Sequence, residues 1–150
     1  MKSSAAELEK TIDLHLGALQ NIAEAAYSLK SSPAKWSKKE ILGHLIDSAQ
    51  SNIRRFIVAQ YEKNPFIKYQ QDKWVVINNY QQWDTADIIT LWYSLNKQVC
   101  YILRNTPEDM YQRTCLTGEP HSLEWLAADY VKHLLHHLHV ILDLEPVTYP

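Results

Sequence analysis

Glycine is scarce in this chain. Only positions 17, 43 and 118 carry it among 150 residues. Strand-rich folds need more turn residues than that, so the composition leans all-α. Cysteine is almost as rare. Cys100 and Cys115 lack CxxC spacing, so no zinc ribbon or dithiol redox motif is present. Two such thiols fit a reduced, cytoplasmic protein. Charge of neither sign accumulates: the formal net charge is −2 and there is no basic run. That argues against a nucleic-acid partner. Long apolar runs are missing too. The opening MKSSAAELEKTIDLHL reads as the start of a helix, so neither a signal peptide nor a membrane span is expected. A Gly-rich phosphate loop, a nucleophile elbow and a Ser-His-Asp pattern are likewise absent. What remains is an ordinary globular composition, 46% hydrophobic and 21% charged, long enough for one domain over 1–150 with a core.

Histidine, by contrast, is concentrated. Asp129 to Leu142 reads DYVKHLLHHLHVIL and holds four of the seven histidines. At about 100° per residue, Leu126, Ala127, Tyr130, Val131, Leu134, Leu138 and Ile141 form an apolar arc. His133 and His137 lie at one edge of it, four residues apart, and look inward. His136 and His139 fall on the polar side and are expected to be solvated. Two imidazoles one turn apart can share an ion, and helix bundles build such sites from facing helices. Imidazole suits Zn, Ni, Cu or Fe better than Mg or Ca. The same spacing also fits two buried, hydrogen-bonded histidines. Asp129, one turn before His133, could accept that ring's second N–H, or serve only as a carboxylate near a helix N-terminus.

Apolar spacing predicts three further helices. The first spans about Ser4 to Leu29, on Leu8, Ile12, Leu16, Leu19, Ile22 and Ala26. His15 shares that side and reads best as a boundary histidine held by a hydrogen bond. The second begins at Ser37, where Ser37 to Glu40 forms a capping box and Trp36 takes the position of a hydrophobic staple on Ile41. It continues to about Tyr61. His44 borders its apolar face, and Ser48, Ser51 and Arg55 continue the stripe. Small polar side chains there leave room for a water-filled cleft. His44 is either a third ligand from a second helix or a boundary histidine. Asp47 is placed to orient His44 or a substrate, or to be solvated. The third helix runs from Thr85, capped by Asp84 or Thr85, to Thr106 before Pro107. Ser122 caps the fourth.

Between Asn64 and Asp84 lies a connection longer than antiparallel neighbours require. Its aromatic and amide content suits a cover over one bundle end. Gln71, Asp72 and Trp74 are the candidates there for substrate contact, with Arg55 of the second helix joining Gln71 and Asp72 as possible contacts to a polar ligand, while Trp74, Val75 and Val76 also suit a plug. Four helices with one long crossover predict a bundle.

Three stretches, WSKKEILGHLIDSA (Trp36 to Ala49), YQQDKWVVINNY (Tyr69 to Tyr80) and DYVKHLLHHL (Asp129 to Leu138), together resemble the DinB-like superfamily, which includes bacillithiol transferases. The resemblance runs in order along nearly the whole chain. It implies an up-down-down-up four-helix bundle, often a homodimer, with a three-histidine divalent-metal site. Carried over by position, the ligands fall on His44, His133 and His137. Zinc or nickel leads, with manganese or iron as alternatives. Some members of the family resemble metal-dependent hydrolases; others are thiol-dependent S-transferases or isomerases. The resemblance therefore implies a small-molecule substrate and, for the transferases, a low-molecular-weight thiol as cofactor. Many relatives carry glutamine three residues after the last ligand. Val140 stands there in this chain, so any polar role of that side chain is lost. On the residues alone, a non-catalytic metal- or ligand-binding bundle remains the alternative.

Overall fold

A computed structural model describes residues 1–149. Four long helices dominate it: α1 (Lys2–Gln20), α3 (Lys38–Val58), α5 (Thr85–Asn105) and α6 (Leu123–Ile141). Two short ones join them, α2 (Glu24–Ser28) and α4 (Gln71–Asn78). A hairpin of β1 (Thr114–Leu116) and β2 (Pro120–Ser122) precedes α6, with Cys115 opposite His121.

Side-chain pairs between the helices give their directions. Glu9 meets Lys97 and Arg104, while Asp13, one turn later, meets Tyr93, so α1 and α5 are antiparallel. Lys39 at the start of α3 reaches Trp83 just before α5, and Gln60 beyond the end of α3 reaches Thr106 beyond α5. These two helices are therefore parallel. Lys38 pairs with Asp143, and His44 with His133, so α3 and α6 are antiparallel. The result is the expected up-down-down-up bundle. Parallel neighbours α3 and α5 also explain the long crossover: the chain must climb back along a helix of about 30 Å before α5 begins.

The apolar faces meet in one core. It contains Leu8 and Ile12 of α1, Leu45 and Phe56 of α3, Trp92 and Val99 of α5, and Leu134 and Leu138 of α6, all fully buried. The Ser37 capping box is present in both directions.

Three local expectations are corrected. The first helix does not run to Leu29. It ends at Gln20, and Ala23 is extended before α2. The break lets Tyr27 fold back, fully buried, and donate its hydroxyl to the carbonyl of Leu19, which lies in the last turn of α1. The crossover is not a plain connection, because α4 lies within it. Val75 of α4 is buried as the plug requires, but Val76 is three-quarters exposed. The turn-rich stretch before α6 holds the hairpin, which also receives the crossover: Ile67 donates to the Leu116 carbonyl, and Leu116 to that of Pro65. Among the described residues, no helix is long and apolar enough to cross a membrane.

Candidate metal centre

The centre forms where α3 and α6 run side by side. On α6, His133 and His137 are one turn apart, with ring centroids 4.5 Å from each other. The antiparallel α3 brings His44 to 5.1 Å from the first ring and 5.0 Å from the second. One potential ligand nitrogen from each ring lies within 4.8 Å of the others. The Nε2 atoms of His44 and His133 are 3.1 Å apart. Nitrogens bound tetrahedrally to zinc stand about 3.3–3.4 Å apart, given a Zn–N distance of about 2.0–2.1 Å. That pair is therefore close to ligand spacing.

Burial sets its charge state. Removal from water pushes the His44 imidazole down to about 4, and the neighbouring His137 adds to this. His137 is held down to about 4 by burial and then by His136. His133 goes lowest, to about 2, by burial and then by His137, His44 and His136. All three rings are neutral at pH 7, so their lone pairs are available without release of protons. Nδ1 of His44 is buried without a partner. The facing Nε2 atoms of His44 and His133 can satisfy each other only if one is protonated and the other is not. Three converging neutral imidazoles fit a divalent ion. They also leave coordination positions open, unlike the four protein ligands of a structural site.

The remaining candidates divide. Asp47 is fully buried, and its Oδ1 accepts from the Tyr80 hydroxyl at 2.6 Å and from Asn78 at 3.0 Å. It latches the crossover onto α3; no hydrogen bond to His44 is present among the described residues. Its Oδ2 has no partner. Burial raises this carboxyl to about 6, against the two hydrogen bonds, which favour the charged form. Gly43 makes the latch possible, because a Cβ there would lie 2.1 Å from the Tyr80 ring. Of the two roles open to Asp129, the bond to His133 is absent among the described residues. Both its oxygens accept from the Tyr149 hydroxyl, at 3.0 and 3.1 Å, because the C-terminal tail folds back over α6. The tail also corrects two other expectations. His136 and His139 are not simply solvated: their Nδ1 atoms donate to the carbonyls of Val147 and Glu145. His15 bonds the carbonyl of Thr11 and stands outside the centre.

Gln71 is exposed, and Trp74 packs edge-on against Tyr69 rather than onto the triad. Asp72 lines a broad groove of about 800 Å³ that runs past His137, with Trp36, Ile41, Val76 and Val140. On the other side of the triad, Ser48 and Arg55 line a polar cavity of about 120 Å³ that includes His133. This is the cleft expected along their stripe. Asn52, Tyr69, Tyr130 and Tyr149 in its wall, and Trp36 packed 5.1 Å from His44, were not singled out from the sequence. The one local signal was Asn52, three residues before Arg55 and so on its side of the helix.

Comparison with solved structures places the fold. YfiT from Bacillus subtilis, described as a probable metal-dependent hydrolase with an unusual four-helix bundle topology, superposes with a TM-score of 0.84 at 20% identity, over 94% of this chain and 83% of its own. A mycothiol-dependent maleylpyruvate isomerase superposes with a TM-score of 0.71 at 13% identity, over 97% of this chain but 61% of its own. No curated protein matches the sequence. The sequence model of the DinB superfamily matches residues 7–141, nearly the whole chain, and the protein belongs to that family.

Proposed function

We propose that the protein is a metal-dependent enzyme acting on a small molecule, with His44, His133 and His137 as ligands of one divalent ion. The observation that carries this reading is the convergence of three neutral imidazoles on one point between a polar cavity and an open groove. Zinc or nickel suits the donors best, with manganese or iron next. Such an ion acts as a Lewis acid and lowers the pKa of water or a thiol bound to it. The chain's part is to hold the three rings neutral, to keep other side-chain ligands away and to admit substrate from two sides.

The reaction is of thiol S-transferase or hydrolase type. The described isomerase is mycothiol-dependent and YfiT is described as a probable hydrolase, so the neighbours support both. If a thiol takes part, it comes from a small molecule, because Cys100 and Cys115 are buried away from the triad and burial raises both thiols. Reduced thiols support a cytoplasmic location. A homodimer is the proposed assembly, with exposed Val76 and Ile77 of α4 as apolar surface for it.

The test is elemental mass spectrometry on untagged protein, beside His44→Ala and His137→Ala. About one metal per chain, lost from both folded variants, is expected. A metal retained in both would overturn the triad. Hydrolase and thiol-transfer screens with the loaded protein then separate the two reactions.

A further inference from the structure

Arg55 is the unusual charge in this molecule. Arg104 pairs with Glu9, and Arg113 caps the carbonyls of Ala59 and Glu62. Arg55 is partly buried, yet no ion pair among the described residues includes it. A cation removed from water without a counter-ion is costly, and here burial does lower its pKa. Two of its three guanidinium nitrogens are fastened. Nε donates to the Ile67 carbonyl at 3.1 Å, and Nη1 to Asn52 Oδ1 at 3.2 Å. Asn52 is itself buried and held by its amide to the Ser48 carbonyl at 2.9 Å. Nη2 has no protein acceptor among the described residues, and the residue lines the polar cavity beside His133.

The same wall carries three tyrosine hydroxyls. The Tyr69 and Tyr149 hydroxyls, both pushed up to about 12 by burial first, and that of Tyr130, also raised by burial, stay protonated at any physiological pH. The Tyr130 hydroxyl is already committed to Asn96. Among the described residues, Asp129 is the one acid in the cavity. It lies beyond ion-pair distance of Arg55 and takes the Tyr149 hydroxyl. Its charge opposes a second negative charge in the cavity more strongly for a dianion than for a monoanion. The cavity has a volume of about 120 Å³.

We propose that Arg55, held by Asn52 and Ile67, is the carboxylate-binding subsite of the centre, so that the small molecule acted on there carries a carboxylate. The assignment rests on the triad as the reacting centre, but the subsite is built without the metal. Arginine suits the role because its planar guanidinium, held at Nε and Nη1, presents the Nη2 donors in a fixed plane to an oxyanion, which lysine cannot reproduce.

The test is nuclear magnetic resonance of the arginine Nε–H groups in the metal-free full chain, with the Arg55 signal assigned by its loss in Arg55→Lys. Propionate, 1-propanol and inorganic phosphate are added in turn. The expected result is a saturable shift of the Arg55 signal with propionate, little with 1-propanol, and weaker binding of phosphate. Asn52→Ala, which keeps the cation but unfastens it, should weaken propionate about tenfold, with the fold checked by circular dichroism. An unmoved Arg55 signal, or an equal response to 1-propanol, would overturn the subsite. Tighter binding of phosphate would overturn the carboxylate assignment. A chain that takes up no metal yet shows the propionate response would defeat the metal reading and keep this one.

Discussion

The α1–α5 seam and the α3–α6 seam use helices of similar length in opposite ways. Along α1 and α5, polar groups pair at the surface: Glu9 with Lys97 and Arg104, and Asp13 with the Tyr93 hydroxyl. Beneath them Leu8, Ile12, Val99 and Leu103 pack without exposure. Trp92 Nε1, buried and unpartnered, is the exception. Along α3 and α6 the polar groups lie inside. Three histidines face one another, His44 Nδ1 and Asp47 Oδ2 lack partners, and a cavity remains. One seam maximises burial; the other gives up some of it to keep polar groups convergent. A bundle has stability to spare for a site only if the two tasks fall on different seams.

Acid should separate the seams most widely. His44, His133 and His137 have folded-state values depressed below 6.5. Below pH 6.5 the unfolded chain therefore binds more protons than the folded one. Their contribution is complete above that pH and is lost as pH falls toward about 4, and further for His133. Asp47 acts oppositely. Raised from 3.8 to about 6, it takes up a proton in the folded state first and so favours folding as pH falls across that window. Three groups outweigh one, so the metal-free chain should lose several kcal/mol between pH 6.5 and 4. Glu9 on the other seam is depressed from 4.5 by Lys97 and then Arg104, and enters only below that pH. Urea melts in the presence of a chelator, from pH 7 to 4, measure the slope. A flat profile down to pH 4.5 would mean that the three rings are not buried as neutral groups. His133→Leu should reduce the slope, because it removes one of the three depressed rings.

Ile12→Ala probes the other seam. Ile12 is fully buried in α1, and removing its side chain should cost about 2–5 kcal/mol in urea or thermal melts. Metal content per folded chain should be unchanged. His137→Ala should show the reverse pattern, with metal lost and a smaller change in metal-free stability. If Ile12→Ala also strips the metal from protein that remains folded, the seams are coupled and the division of labour fails.

The long helices were legible because period and burial agree in them: Leu45, Ile46, Ala49 and Phe56 recur at helical spacing on α3 and are all buried. The break after α1 was not. Leu19, Ile22 and Ala26 continue the apolar pattern across it, and neither glycine nor proline marks it. Helix α4 escaped notice because its apolar residues, Trp74 to Ile77, are consecutive and so have no 3.6-residue period. The hairpin strands are three residues each, too short for alternation to register. At the centre, the wheel could turn His133 and His137 inward, but it left His44, 89 residues away, either a third ligand or a boundary histidine, and only the resemblance chose between the two. Asn52, Tyr69 and Tyr149 share a cavity wall through tertiary structure alone, and no spacing in a single sequence reports that.

Two helical glycines, one on each seam, give the finest test. Replacing glycine by alanine inside a helix normally gains about 0.5–1 kcal/mol. Gly17 in α1 has nothing within 4 Å of a new Cβ, so Gly17→Ala should show that gain. Gly43 has the same backbone preference, but its Cβ would lie 2.1–2.5 Å from three carbons of the Tyr80 ring. Tyr80 is buried and bound to Asp47, so the ring cannot swing aside without breaking the latch one turn beyond His44. Overpacking typically costs about 1–3 kcal/mol, enough to outweigh the helical gain. Gly43→Ala should therefore destabilise in urea melts and loosen the metal site. The penalty should disappear when it is made in Tyr80→Ala, a coupling that a double-mutant cycle reads directly. Stabilisation by Gly43→Ala in the parent chain would mean that Tyr80 does not rest on α3. Asp47 would then grip the crossover through Asn78 alone, and the second seam would be looser than its fold implies.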